Sequence, residues 1–487
     1  MAAAVSVDPF ATAVDLLRAL REKQVSSVEL LDLYISRIER YDPAINAVVE
    51  RDFDRARDAA READAARARG EDGALLGLPM TLKESVNVAG LRTTAGNEEW
   101  RDARVDFDAP VTRVVKAAGG VIFGKTNVPP MLADWQSDNP NYGRTNNPWD
   151  LRRSPGGSSG GSAAALAAGM TGLEWGSDIG GSIRVPAAFC GVYGHRPSDS
   201  AVPRSGQMPM VPMPNPSTAM GVQGPLARGA ADLELFFDLA AGPDTGEDVG
   251  WTLTLPPARA ESLAGLRVAV LPPIEWVEID DEISAAIDGL AAGLAKAGAK
   301  VATAAPALFR DFRDHHRKYM TLLNAMMTAR TPREQRMILA APAPGDDEFT
   351  KATRAGVVLD AADYIGLFME RELYRESYRS FFRDWDILLA PITIVPSFEH
   401  RGLGSMANWT LEINGRTVPY TSQLVYPGIA TFSGQPATAF PLGLTKAGMP
   451  IGAQAIGPYL EDRTTLRFAG LVEREFGGFQ RPPGYED

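Results

Sequence analysis

Residues Ser154 to Pro197 read SPGGSSGGSAAALAAGMTGLEWGSDIGGSIRVPAAFCGVYGHRP. The run is dense in Gly, Ser and Ala, but Leu166 and Trp175 interrupt it, and it holds too many small apolar residues for a linker. Small side chains let backbone segments approach closely. We therefore read tightly packed backbone here: a loop, an Ala-rich helix from about Ser162 to Gly169, a strand and a second Gly loop. Further out, Val121-Ile122-Phe123 and Ile387-Leu388-Leu389 have the character of buried strands, and helical patterns separate such runs. Strands alternating with helices predict an α/β fold, a mixed twisted sheet with helices on both faces.

The first seventy residues predict helices that pack on this core. Ser26-x-x-Glu29 fits a capping box, and Val28, Leu31, Ile35 and Ile38 follow at helical spacing. A second, more polar helix is expected between Arg51 and Gly70. Length alone suggests roughly two or three domains. No internal repeat or sharp linker divides the chain, and the stretch from Ala241 to about Phe382 is compositionally ordinary.

Bulk properties exclude several functions. The 487 residues carry a net charge of -12 without a long basic block, so nothing supports phosphate contacts to a nucleic acid. One cysteine, Cys190, forms no intrachain disulfide, and four histidines (His195, His315, His316, His400) make a poor zinc set. The N-terminus lacks a charged and then apolar leader, and no run approaches the ~18 apolar residues of a membrane span. The expected setting is a reducing cytoplasm.

Two motif matches carry little chemistry. Gly119 to Thr126, GGVIFGKT, satisfies the phosphate-loop pattern, but its loop would contain strand-like Val121-Ile122-Phe123, and Pro129-Pro130 follows soon after where a helix should start. A nucleotide-binding protein stays open as an alternative of another class. Gly156-Gly157-Ser158-Ser159-Gly160 satisfies GxSxG, but that elbow needs a late histidine, and His400 has an unremarkable setting.

A third pattern accounts for more residues. Ser182 ends Gly176-Ser177-Asp178-Ile179-Gly180-Gly181-Ser182, where successive N–H groups from Ile179, Gly180, Gly181 and Ser182 can converge on one oxygen. Such an oxyanion hole matters because charge appears on a carbonyl oxygen in the transition state, and losing one donor costs about 2.7–4 kcal/mol. Lys83 ends a largely apolar approach, Leu75 to Lys83. On the surface it would be an edge residue; buried, its charged form is disfavoured and it becomes a base near neutrality, able to activate a serine.

The Ser154–Pro197 segment closely resembles the signature of the amidase signature family. LLGLPMTLKESVNVAGLRTTAGN resembles the family's lysine segment, GKTNVPPMLADWQSDNPNYGRTNNPWD the stretch between lysine and signature, and GQPATAFPLGLTKAGMPIGAQAIG its C-terminal core strands. The 24-residue separation of Ser158 and Ser182 is the family spacing. The resemblance implies one continuous domain over residues 1–487. It also implies Lys83 as base, Ser158 as bridging serine on a cis peptide after Gly157, and Ser182 as nucleophile. Asp178 and Arg184 match positions that brace this loop, Ser159 is supporting, and Leu132 and Ala133 should border the substrate pocket.

Three residues depart from family usage: Glu84 for Asp, Ser177 for Thr, and His195 for an aliphatic residue. We expect none of them to touch the triad, and His195 to be structural. No cofactor or metal is implied. The Met-rich loop Gln207–Met213 and the helix carrying Met320, Met326 and Met327 suggest a permissive apolar pocket. The functional expectation is a broad-specificity amidase for small apolar or aryl amides, extending to esters or carbamates. Its partner is a small-molecule amide, with neither nucleic acid nor membrane, and a homodimer is compatible. The rival within the family is the glutamine-hydrolysing subunit of a tRNA-dependent amidotransferase.

Overall fold

A computed structural model describes residues 7–209, 219–404 and 406–486. Its centre is an eight-stranded mixed sheet. From edge to edge the strands are Lys300–Thr303, Arg267–Val270, Ile387–Pro391, Pro450–Ile456, Ala437–Leu444, Tyr193–Arg196, Val222–Ala227 and Glu174–Asp178. The first three run parallel, and every later neighbouring pair is antiparallel.

Period-two alternation assigns side chains to the two faces. Ile387 and Leu389 enter one apolar cluster, while Leu388 and Ala390 enter another. The first cluster takes in Phe236, Leu290 and Leu466 from helices Ala230–Ala240, Asp281–Lys296 and Asp462–Phe476. The second takes in Phe189, Leu322 and Phe432 from helices Arg184–Cys190, Phe312–Met327 and Val425–Ser433. Helices thus cover both faces, the α/β architecture that alternation predicts. The continuous apolar run Ile387-Leu388-Leu389 is what a doubly covered strand requires.

A separate three-stranded sheet delivers the lysine. Its central strand Val121–Thr126 lies antiparallel to Val48–Arg51 and parallel to Pro79–Lys83. This corrects the nucleotide alternative. Most of the GGVIFGKT motif is strand, and its Lys125 is fully buried, donating to the Arg92 carbonyl and the Thr93 hydroxyl. A phosphate loop needs free backbone N–H groups on a flexible turn, and this strand has committed its backbone to two neighbours. On Pro79–Lys83 the Thr81 hydroxyl donates to the Glu174 carboxylate, tying the small sheet to the edge strand Glu174–Asp178. Lys83, two residues on, leaves the strand on the face of Thr81.

The N-terminal region is helical as the spacing predicts. Helix Ser27–Ile45 begins with the Ser26–Glu29 capping box, and Phe53–Ala68 follows, burying Ala56, Ala60 and Ala63. The Ala-rich signature helix spans Gly160–Ala167, starting two residues before its expected position, with every residue buried. Glycine at its start serves close packing: a Cβ on Gly161 would lie 2.3 Å from the Asn127 amide nitrogen. Among the described residues, no helix is long and apolar enough to cross a membrane.

Candidate active site

Lys83 closes a strand whose five residues are all buried, and its ammonium end has no access to solvent. Burial lowers its pKa to about 7, against the opposing pull of the Asp178 and Glu174 carboxylates. Nζ donates to Ser158 Oγ at 2.7 Å, Ser159 Oγ at 2.9 Å and Ser177 Oγ at 2.9 Å. Three hydroxyl neighbours match the three donors of an ammonium. In the neutral amine two of them can hold N–H groups while the lone pair faces the third. Ser177 is therefore in direct contact with the lysine, which corrects the expectation that no departure from family usage touches the triad. Glu84 and His195 do stand apart from it. The Glu84 carboxylate takes the Thr94 and Ala95 N–H groups, and His195 sits between Thr438 Oγ1 at 2.9 Å and Asp462 Oδ1 at 3.1 Å.

Ser158 follows a cis peptide at Gly157, and its hydroxyl has Lys83 as its partner. That pairing also disposes of the histidine-dependent elbow, since no hydrogen bond joins His400 to Ser158 among the described residues. The Ser159 N–H donates to the Ser182 carbonyl at 3.1 Å, joining the two serine loops through backbone. Gly176 makes that approach feasible, because a Cβ there would meet Ser159 Oγ at 2.7 Å. No hydrogen bond links the hydroxyls of Ser158 and Ser182 in the described structure. Catalytic contacts are often open until substrate is bound.

Asp178 and Arg184 brace the loop that carries Ser182. Their fully buried ion pair is bidentate, Nη2 to Oδ1 at 2.9 Å and Nε to Oδ2 at 3.0 Å. Burial alone would raise the carboxyl pKa, but the Arg184 and Arg196 guanidiniums and the Ile183 N–H hold it at about 2. The same carboxylate accepts the Gly181 N–H at 3.0 Å. This alters the expected oxyanion set: Gly181 is committed to Asp178, while the N–H groups of Ile179, Gly180 and Ser182 have no partner among the described residues. Gly181 instead supplies the turn, at φ +91°, with a would-be Cβ 2.8 Å from Val185 Cγ2. The loop's carbonyls are pinned outward: Tyr319 hydroxyl donates to Ile179 O at 3.1 Å and Trp135 Nε1 to Gly180 O at 3.0 Å. Because a peptide is planar and trans, anchoring the Ile179 carbonyl turns the Gly180 N–H the opposite way.

Ser182 opens into a cavity of about 420 Å³. Leu132, Ala133, Met320, Leu323, Met327 and Leu424 give it an apolar wall, and Asp134 is the sole ionisable side chain among the described lining residues. Met131 and Leu132 hold φ of 53° and 59°, a left-handed conformation costing about 1–2 kcal/mol per residue, which aims this segment at the cavity. The methionine expectation divides: Met320 and Met327 line the cavity, Met326 packs behind it with its sulfur 3.8 Å from the Tyr364 hydroxyl, and Met210 to Met213 lie outside the described residues. Sequence reasoning missed Asp134, Trp135 and Tyr319. Trp135 and Asp134 lay beside residues already singled out; Tyr319 is 140 positions from its partner and gave no local signal.

A family model described as Amidase matches residues 29–466. The chain belongs to the amidase signature family. Its relatives include a glutamyl-tRNA(Gln) amidotransferase subunit of Synechococcus sp. (strain CC9605), 32% identical over 501 residues, covering 95% of this chain and 96% of that protein. Among solved structures, a bacterial aryl acylamidase of the amidase signature family superposes with a TM-score of 0.81 at 25% identity, covering 96% of each chain. A 6-aminohexanoate cyclic dimer hydrolase complexed with substrate gives a TM-score of 0.79 at 28% identity, covering 99% of this chain and 100% of that one. As an amidase signature enzyme, this chain is a carbon–nitrogen hydrolase or amidotransferase.

Proposed function

We propose that this amidase signature enzyme hydrolyses linear amides through an acyl-enzyme, with Ser182 as nucleophile, Ser158 as proton bridge and Lys83 as base. The observation that carries the reading is the solvent-free Lys83 amine held by three serine hydroxyls. Ser182 Oγ attacks the amide carbon as its proton passes to Ser158 Oγ, whose own proton moves to the Lys83 lone pair. The N–H groups of Ile179, Gly180 and Ser182 take the oxyanion. Collapse breaks the C–N bond, and the leaving amine receives the proton back through Ser158. Water then attacks the acyl-enzyme, with the same relay as base. Ser159 and Ser177 position the amine; Asp178 and Arg184 hold the loop; Leu132 and Ala133 border the substrate.

The apolar cavity supports small apolar or aryl acyl groups, and the same chemistry extends to esters and carbamates. A second reading, the glutamine-hydrolysing component of a tRNA-dependent amidotransferase, has the stronger support from sequence relatives, since proteins of that name match across nearly the whole chain. The cavity favours the first. Free glutamine brings both an ammonium and a carboxylate, and no Lys or Arg is among the described lining residues to meet the carboxylate. The test is release of aniline from acyl anilides beside release of ammonia from glutamine, with intact mass after a fluorophosphonate comparing wild type and Ser182→Ala. Aniline release with labelling confined to wild type is expected. Turnover of glutamine alone would select the second reading, and equal labelling of the mutant would remove Ser182 as nucleophile.

A further inference from the structure

Asp134 takes no part in the proton relay, although it borders the same cavity as Ser182. Its carboxylate is held rigidly. Tyr420 hydroxyl and the Trp135 N–H both donate to Oδ1 at 2.7 Å, and Gln136 Nε2 donates to Oδ2 at 3.1 Å. Tyr420 is itself clamped by the rings of Trp135, Phe398 and Trp409. Oδ1 is thus occupied, while Oδ2 has one donor and keeps acceptor capacity. The segment is also locked to the reacting centre. The neighbouring Trp135 indole holds the Gly180 carbonyl at 3.0 Å, and the Asp134 carbonyl packs so tightly on Gly157 that a Cβ there would lie 2.4 Å away.

Burial raises the Asp134 pKa to about 6, with the Tyr420, Gln136 and Trp135 donors limiting the rise, so the group is mostly an anion at neutral pH. No ion pair to Asp134 exists among the described residues. A half-buried anion in an apolar wall without a counter-charge favours a cation supplied from outside the protein.

We propose that Asp134 anchors an ammonium group on the substrate, so that the favoured amides carry a primary amine at a set distance from the scissile carbonyl and no carboxylate. This rests on the amide-hydrolase reading above and names its substrate class. The test uses the 4-nitroanilides of ω-amino acids from butanoyl to octanoyl, each beside its alkyl twin of equal length. Calorimetry on the full-length Ser182→Ala protein gives Kd without turnover. At one chain length the ammonium member should bind more tightly than its twin. Adding Asp134→Asn should reduce that ratio by about tenfold or more, the effect of one charge-assisted hydrogen bond. An unmoved ratio overturns the proposal, and so does an Asp134-intact protein that prefers the alkyl twin at every length, a result that needs no Asp134 variant. Tyr420→Phe retains the carboxylate but removes one donor that holds it, so the preference should weaken less than in Asp134→Asn. If wild type turns over none of the anilides while the Kd ratio still responds to Asp134→Asn, the hydrolase reading fails and the anchor stands.

Discussion

From Ser154 to Asp199 every residue except Ile179 is buried, whereas helix Arg333–Leu339 buries none of its seven residues and leaves Met337, Ile338 and Leu339 57%, 74% and 52% exposed. Both regions reach the Ser182 cavity, the first through Ile179, Gly180 and Ser182, the second through Leu339. Under the proposed mechanism the contrast separates two jobs. Proton relay needs atoms fixed within hydrogen-bond distance, and dense packing of small residues over-determines their positions. An acyl pocket needs area and shape, which adaptable side chains on a loosely seated helix supply. Exchanges in the first region should therefore act on chemistry, and exchanges in the second on substrate choice.

The hardest way to break this division is Ser182→Ala. Activity on an acyl anilide should fall on the order of 10⁴-fold or more with the thermal midpoint little changed, read by steady-state rates and calorimetry. A mutant retaining more than a tenth of wild-type turnover would place the chemistry elsewhere. The pH profile comes next. The relay needs the neutral amine, and burial lowers the Lys83 pKa to about 7, so kcat/KM should be full above that pH and fall about tenfold per unit below it. A flat profile between pH ~5 and ~8 would contradict a lysine base.

Ser177→Ala sharpens the same point with a smaller effect. It removes an acceptor at 2.9 Å from Nζ, a contact that favours the charged amine, so kcat should drop roughly ten- to thirtyfold and the acid limb should move to lower pH. A lowered rate with an unmoved limb would make Ser177 a packing residue only. The mildest test lies on the other side of the comparison. Leu339→Ala, at the cavity wall and 52% exposed, should raise KM for a long-chain acyl anilide a few-fold and leave the acetyl anilide within about twofold. Equal effects on both substrates would erase the division between relay and wall.

Much of the proposed relay was readable in advance, partly from local constraints and partly from the family resemblance. The glycines before Ser182 and the apolar approach to Lys83 lie within short runs, whereas Ser158 and the spacing between the serines acquired meaning only from the resemblance to the amidase signature family. What those runs could not show was which donors were already taken. Gly181 looked as free to donate as Gly180 until the Asp178 carboxylate was found on its N–H. Ser177 looked neutral because a strand residue's face depends on what packs against it, here Lys83 from the other sheet. The wall was less legible still, since Asp134 meets Tyr420 across 286 positions and the stretch around Asp134 carries no sign of that partner.

The amino-acid sequence by itself determined the α/β class, the helical N-terminal region and the buried character of the strands, because periodicity and small-residue packing are written in consecutive positions; its resemblance to a family pointed to the residues of the proposed relay. Only the tertiary structure decided which N–H groups remain free, what surrounds the Lys83 amine, and that one carboxylate stands among apolar side chains. Those properties depend on distances between segments far apart in the chain, and solvent exclusion and hydrogen-bond competition exist only once the segments have met.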